Sequence, residues 1–598
     1  MHSTSFWLLA GLLSVAHGSS LLHSESIDAP QVRAVSPFGN LPNPILDDPL
    51  RLANPLSKRT KNCPNSPSDR TCWGQYDITT NYYDTVPNTG KTREYWFNLI
   101  EKNLSPDGVP RYTQTINGSL PGPTIEADWG DRVVIHLTNS LKTSTNGTTL
   151  HFHGIRQNYT NPMDGTPSIT QCPVAPGKSM TYSWRATQYG TSFYHSHFGL
   201  QAWEGLFGGI KINGPATANY DVDLGNLFLN DWLHATPDAT YASAQTQGPP
   251  TEDNGLINGT NVFGTAGSRF KQTFKAGTRY RIRLVNAAIE THFKFSIDNH
   301  TLTVISNDFV PIKPYTTNAV SIGIGQRYDI IVTANQPANN YWMRAIPQLA
   351  CSYLKSADLV RGIIRYNSSS TADPTSKGYT LPNDCNDESP SKLIPYLALN
   401  AGATKPTSRL TTTVGPSAAD PNIFKWYFNT TTFYSDWSNP SLAQIYTNKT
   451  TNWTFQSGAI ELPNPNSWAV IVIETAFPAP HPMHLHGHDF YLLGAGVGAF
   501  NTSIPLTTQN PPRRDVAMLP ANGYMVLAFL TDNPGVWLLH CHIGWHTSQG
   551  MDLQFIEREK EIKALIDSQS AWKGLNQTCA NWKQSVKANS VVQDDSGV

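Results

Sequence analysis

The stretch His540-Cys541-His542, continued by Ile543-Gly544-Trp545-His546, sets one thiol between two imidazoles and adds a third imidazole four residues on. On an extended strand successive side chains alternate faces, so Cys541 points one way and His540 and His542 the other. One strand then serves two metal sites, one through sulfur and one through ring nitrogen. Two imidazoles, a thiolate and a weak axial donor make a blue-copper centre, which passes single electrons. Met551 offers a thioether for the axial place.

The pattern recurs. Tyr194 to Leu206 (YHSHFGLQAWEGL) aligns with Leu539 to Met551 (LHCHIGWHTSQGM), which puts Ser196 on Cys541, Gln201 on His546 and Leu206 on Met551. The outer histidines survive in both copies, whereas the thiol, the later imidazole and the thioether occur only in the second. A second matched pair lies upstream, Leu150 to Gly154 (LHFHG) and Met483 to Gly487 (MHLHG). His-x-His therefore occurs at 151/153, 195/197, 484/486 and 540/542. Residues i and i+2 of a strand share a face, so each pair presents two rings side by side. Two pairs from an early domain and two from a late one can meet across a domain interface. A lone His-x-His says little, but four in two matched sets point to metal.

The elements that must hold these pairs read as β. Arg132 to Leu137, Tyr280 to Val285 and Ala469 to Thr475 are rich in β-branched residues. Asn117-Gly118, Pro121-Gly122 and Asn533-Pro534-Gly535 mark turns between such runs. A helix is expected near Glu557 to Ile566, where charged and apolar residues alternate.

The chain has 598 residues, enough for three ordinary domains. Its net charge of −1 gives no electrostatic case for nucleic acid or an anionic membrane as partner. Phe6 to Ala16 is a short apolar run followed by small residues, read as a signal peptide over 1–20. Residues 21–59 are Pro-rich and end in Lys58-Arg59, which suggests a processed propeptide. Seven cysteines and sequons at Asn117, Asn146, Asn258, Asn367, Asn429, Asn452 and Asn576 fit an exported glycoprotein. If Cys541 is a metal ligand, six cysteines remain to pair. Short spacings favour Cys63–Cys72 and Cys351–Cys385 and leave Cys172 with Cys579, although spacing alone does not fix the connectivity.

Taken together, the four motifs resemble the multicopper oxidases, and nearly the whole chain after residue 59 is similar to an ascomycete-type fungal laccase. The resemblance implies an all-β fold of three cupredoxin-like Greek-key β-barrel domains with short helices and a C-terminal tail. The expected boundaries are 60–215, 216–370 and 393–560, with a linker at 371–392 and an extension at 561–598. It implies four copper ions: one type 1 held by His481, Cys541 and His546, one type 2 held by His151 and His484, and two type 3 held by His153, His195, His197, His486, His540 and His542. It also implies Asp131 as a proton-delivering carboxylate, Asp231 as the acceptor of a phenolic proton, His488 as an orienting neighbour, and Asp594 to Val598 as a plug near the cluster.

Met551 stands where many fungal laccases carry Leu or Phe, and Gly544 where some relatives carry a second acidic residue near the cluster. A coordinating Met551 suits a low-to-medium-potential site. The expected activity is a secreted laccase, oxidising phenols or aromatic amines with dioxygen, with no nucleic-acid or membrane partner and a monomeric chain. An ascorbate or pigment-precursor oxidase and a non-catalytic copper-binding glycoprotein are the rivals.

Overall fold

In the computed structural model, residues 63–448 and 455–598 are described. The expected signal peptide, the propeptide with its dibasic end, and the sequon at Asn452 lie outside them.

Alternation drives the sheets. Arg132–Asn139 buries Val133, Ile135, Leu137 and Asn139 and leaves the residues between them half exposed. That is the burial pattern of a strand with one face on a core. The expected strands appear as Arg132–Asn139, Arg279–Asn286 and Trp468–Thr475.

Six larger sheets fall into three successive pairs. The first pair is built from strands between Thr92 and Asn213, the second from strands between Val222 and Arg365, and the third from strands between Ser408 and Glu557. The three pairs share one wiring rule. In each, one sheet contains a single parallel pairing near its start: Thr92–Leu104 with Arg132–Asn139, Val222–Trp232 with Arg279–Asn286, and Ser408–Pro416 with Trp468–Thr475. The companion sheet contains another: Gly122–Asp128 with Phe207–Asn213, Lys271–Thr273 with Arg361–Arg365, and Ala459–Leu462 with Asp552–Glu557. The remaining ladders are antiparallel. This is a Greek-key barrel repeated three times, and the all-β expectation holds.

Helices are few. The tail helix spans Glu559–Ser568 and is followed by a longer one, Trp572–Asn589, which the sequence reading did not anticipate. Its apolar residues Trp572, Leu575, Cys579, Trp582 and Val586 follow the helical period, so the signal was present. Cys579 on this helix is bonded to Cys172, and Cys63–Cys72 and Cys351–Cys385 form the other bridges. Cys541 is left as a buried free thiol.

Candidate metal centres

Strand pairing brings the histidines together. His151 lies directly across from His195, and His484 directly across from His540. The same register sets Met483 opposite Cys541. The first and third barrels thus each contribute two opposed His-x-His pairs, and the two sets face each other. The His153 and His484 rings stack at 3.9 Å, and the His151 and His486 rings at 4.0 Å. His542 Nε2 comes within 3.2 Å of His153 Nδ1, and His486 Nε2 within 3.3 Å of His540 Nε2. All eight side chains are buried.

The outward nitrogens are fixed by the protein. His151 Nδ1 meets the Asp164 carbonyl at 2.8 Å, His195 Nδ1 the Ser196 carbonyl at 2.7 Å, and His484 Nδ1 the Asp515 carbonyl at 2.8 Å. His486 Nδ1 lies 2.9 Å from Asp164 Oδ2, and His153 Nε2 lies 3.1 Å from Asp515 Oδ1. Such contacts set the tautomer and aim the other nitrogen inward, as in metal sites whose histidines are oriented by carboxylates and carbonyls. His151 Nε2, His195 Nε2, His197 Nε2 and His484 Nε2 are buried without a hydrogen-bond partner. Leaving such atoms bare costs about 1–3 kcal/mol each, which a bound cation removes. Burial first, and the neighbouring rings second, hold His153, His197, His484 and His486 well below the usual histidine range. They are therefore neutral, the form that binds metal. Imidazole-only donors at this density suit copper.

The other face of the strand Gly535–Cys541 carries the second centre. Cys541 Sγ lies 3.8 Å from His481 Nδ1 and 3.5 Å from His546 Nδ1, and the two nitrogens are 3.3 Å apart. His546 sits on the short helix Gly544–Ser548. The loop behind it is closed by the Met551 N–H on the His546 carbonyl at 3.0 Å and the Cys541 N–H on the Met551 carbonyl at 3.1 Å. Met551 is fully buried. Trp426 packs against both imidazoles, with ring centroids 4.2 Å from His546 and 5.0 Å from His481. Burial pushes the Cys541 thiol up, so a metal that binds there must displace its proton.

Two expected carboxylates fall elsewhere. Asp131 accepts from Thr89 Oγ1 at 2.6 Å, Arg93 Nε at 2.7 Å and the Asp128 N–H at 3.1 Å, and none of these partners is a histidine. Asp131 closes the turn before its strand. The carboxylates that touch the histidine cluster are Asp164 and Asp515, neither of which the sequence reading singled out. Asp231 is buried and accepts the N–H groups of Ile289, Glu290 and Thr291 at 2.8, 3.0 and 2.8 Å, which makes it a clamp on that turn. The clamped turn is next to the second centre, because the Ile289 carbonyl accepts the Gly544 N–H at 3.0 Å. It presents Glu290, whose carboxyl burial and Asp231 push up to about 8. His488 packs on Trp537 and its Nδ1 meets the His486 carbonyl at 3.1 Å, so it orients a ligand-bearing segment.

The C-terminal residues are seated near the His546 helix. The Ser596 N–H donates to the Ser548 carbonyl at 3.0 Å, and the Ser435 N–H donates to the Ser596 carbonyl at 2.9 Å. Asp595, Ser596 and Val598 are buried.

Comparison with known proteins agrees with this geometry. Three multicopper oxidase profiles match residues 98–217, 225–369 and 427–561. Laccase-2 of Botryotinia fuckeliana is 47% identical over 572 residues, covering 93% of this chain and 96% of the relative. A dihydrogeodin oxidase of Aspergillus terreus is 38% identical, covering 92% and 98%. The crystal structure of a laccase from Botrytis aclada superposes with a TM-score of 0.86 at 46% identity, covering 90% of this chain and all of that one. With paired barrels, converging imidazoles and a separate Cys-His-His centre, the chain belongs to the multicopper oxidases, as a copper-dependent oxidoreductase of the laccase type.

Proposed function

We propose that the protein is a secreted, monomeric laccase that oxidises phenols or aromatic amines one electron at a time and reduces dioxygen to water. The observation that carries this reading is the single strand on which Cys541 and His540 take part in two different donor sets. His481, Cys541 and His546 would hold a type 1 copper, with Met551 as axial donor. His151 and His484 would hold a type 2 copper, and His153, His195, His197, His486, His540 and His542 a type 3 pair. When bound, these ions supply one-electron acceptance at the thiolate site and four-electron reduction of dioxygen at the imidazole cluster.

The chain's own residues do the rest. His546 retains 8% exposure, against none for Cys541 and His481, so a donor reaches the thiolate site at its ring edge. Trp426 keeps water from the imidazole faces. Glu290, beside the helix that carries His546, takes the proton a phenol releases. Asp164 and Asp515 fix ring orientation and stand where protons must arrive at the cluster. Residues 594–598 plug the route to the cluster. The boundaries near 215 and 370–392 separate the three barrels.

The test is copper content and visible spectrum, followed by oxygen uptake with a phenol, ascorbate and ferrous ion. The laccase reading expects copper in all sites, an intense thiolate band and fastest uptake with the phenol. Copper-loaded protein that takes up no oxygen with any donor would end it. A second reading, an oxidase with one dedicated donor, is favoured by the name of the Aspergillus terreus relative. It expects uptake to be slow with simple phenols.

A further inference from the structure

Away from the metal-binding residues, aromatic rings form an unbroken ladder through the first barrel. Tyr76 packs on Trp129 at 5.5 Å between centroids, Trp129 on Tyr189 at 4.9 Å, Tyr189 on Tyr82 at 5.6 Å, and Tyr82 on Tyr83 at 4.4 Å. Every ring is tyrosine or tryptophan, the side chains that give up an electron most readily, and no phenylalanine interrupts the series. At the outer end Tyr76 joins Trp73, Gln75 and Lys91 in lining a surface cavity of about 400 Å³.

The inner end is built differently. The Tyr82 hydroxyl donates to the Tyr83 oxygen at 3.2 Å, and the Tyr83 hydroxyl donates to Asp489 Oδ2 at 3.0 Å. The guanidinium groups of Arg156 and Arg513 lie 4.8 and 5.5 Å from the Tyr83 ring centre. Asp489 also accepts from Gln188 Nε2 at 3.2 Å, and that amide donates to the Gly154 carbonyl at 3.1 Å. Gly154 follows His153, and Asp489 lies three residues past His486. The ladder therefore ends on two chain segments that carry cluster histidines.

A phenol that loses an electron becomes a strong acid, so a redox tyrosine needs a base already in place. Asp489 is such a base, and its burial strengthens its hold on a proton. Reduction of dioxygen to water takes four electrons, and donors arrive one at a time. We propose that Tyr83 and Asp489 form a proton-coupled redox pair that supplies an electron when dioxygen meets a cluster short of its full set, and that the ladder to Tyr76 refills Tyr83 from the surface. This rests on the oxygen-reducing function proposed above. The step balances: the Tyr83 O–H bond breaks, the proton passes to Asp489, the electron passes toward dioxygen, and Tyr83 is left as a neutral phenoxyl radical. The radical regains an electron along Tyr82, Tyr189, Trp129 and Tyr76 from a phenol at the surface cavity, which is itself oxidised by one electron and releases its proton to solvent, and the proton returns from Asp489 to Tyr83.

The experiment uses copper-loaded enzyme reduced with fewer electron equivalents than one dioxygen requires, mixed with oxygen, freeze-quenched and read by electron paramagnetic resonance. The expected result is an organic radical in the wild type, narrowed by deuterated tyrosine and lost in Tyr83→Phe. Trp129→Phe is expected to keep the radical and lengthen its life, because the outward path is cut. Deuterium narrowing needs no variant, so a poorly folding Tyr83→Phe does not decide the matter. Oxygen uptake with a phenol but no radical, or an equal radical in well-folded Tyr83→Phe, overturns the redox pair alone. No uptake with any donor overturns it together with the laccase reading.

Discussion

The first and third barrels carry the same loop, and only the third sets a thiol between two imidazoles. In the third, the Cys541 N–H donates to the Met551 carbonyl at 3.1 Å and the His546 N–H to the Ile543 carbonyl at 3.0 Å. In the first, the Ser196 N–H donates to the Leu206 carbonyl at 3.0 Å and the Gln201 N–H to the Phe198 carbonyl at 3.1 Å. These two backbone bonds recur at aligned positions, although the His546 segment closes as a short helix and the Gln201 segment as turns. The aligned pairs LHFHG and MHLHG also place Thr148 where His481 stands. Thr148 and Ser196 both donate to Gln201 Oε1, at 2.6 and 2.7 Å, and Gln201 Nε2 donates to Gln114 Oε1 at 2.7 Å. A buried polar network occupies the place of a metal triad. A buried site with polar side chains needs them satisfied whether or not it holds a metal, and here hydroxyls and an amide satisfy one another.

Four variants probe this contrast, in falling order of effect. Cys541→Ser removes the thiolate while keeping the fold, and is expected to abolish the visible charge-transfer band and lower phenol oxidation by about a thousandfold or more. Retention of both would mean the third barrel is no more a redox centre than the first. Asp164→Asn weakens the hold on His486 and His151, and a drop of about 10–100-fold in copper affinity or oxygen uptake is expected. Copper titration read by calorimetry checks this, and an unchanged affinity would remove Asp164 from the site.

Glu290→Gln is expected to lower kcat/KM for a phenol by about tenfold while sparing a donor that loses only an electron. With its carboxyl at about 8, Glu290 is a free base above that pH and protonated below it. Its share of the rate therefore grows as pH rises toward 8, and the variant should flatten that rise. Equal effects on both donors would assign Glu290 a packing role. Gln201→Leu leaves two buried hydroxyls without their acceptor, and about 2 kcal/mol of stability should be lost in denaturant melts with no change in the visible band. A lost band would show that the first-barrel loop still serves a metal.

The donor set was legible because it is written in local periods. His-x-His is a strand repeat, and the register that opposes His151 to His195 and His484 to His540 follows from the same alternation. The carboxylates were not legible in the same way. Asp164 meets His486 across 322 residues and Asp515 meets His153 across 362, contacts fixed only when two barrels dock. Asp131 and Asp164 are both turn acids beside a glycine, and the one expected from sequence, Asp131, makes no hydrogen bond to a histidine whereas Asp164 does. The available cue was that Asp164-Gly165 follows LHFHG by ten residues on the same loop. Asp231 and Glu290 show the same limit, since the clamp is in one segment and the carboxyl beside the second centre is in the segment it clamps.

The bridge between Cys172 and Cys579 joins residues 407 positions apart. As the chain is synthesised, Cys63 and Cys72 emerge before Cys172, and Cys172 must then wait unpaired until almost everything after it has emerged, while Cys351, Cys385 and Cys541 pass by as available thiols. Early closure of the two short loops takes four of these out of play. What remains is a choice between Cys541 and Cys579, and a mistake there would spend the sulfur meant for electron transfer on a crosslink. Oxidative folding of this chain is therefore a sorting problem, and the fidelity of one late pairing decides whether a redox centre exists at all.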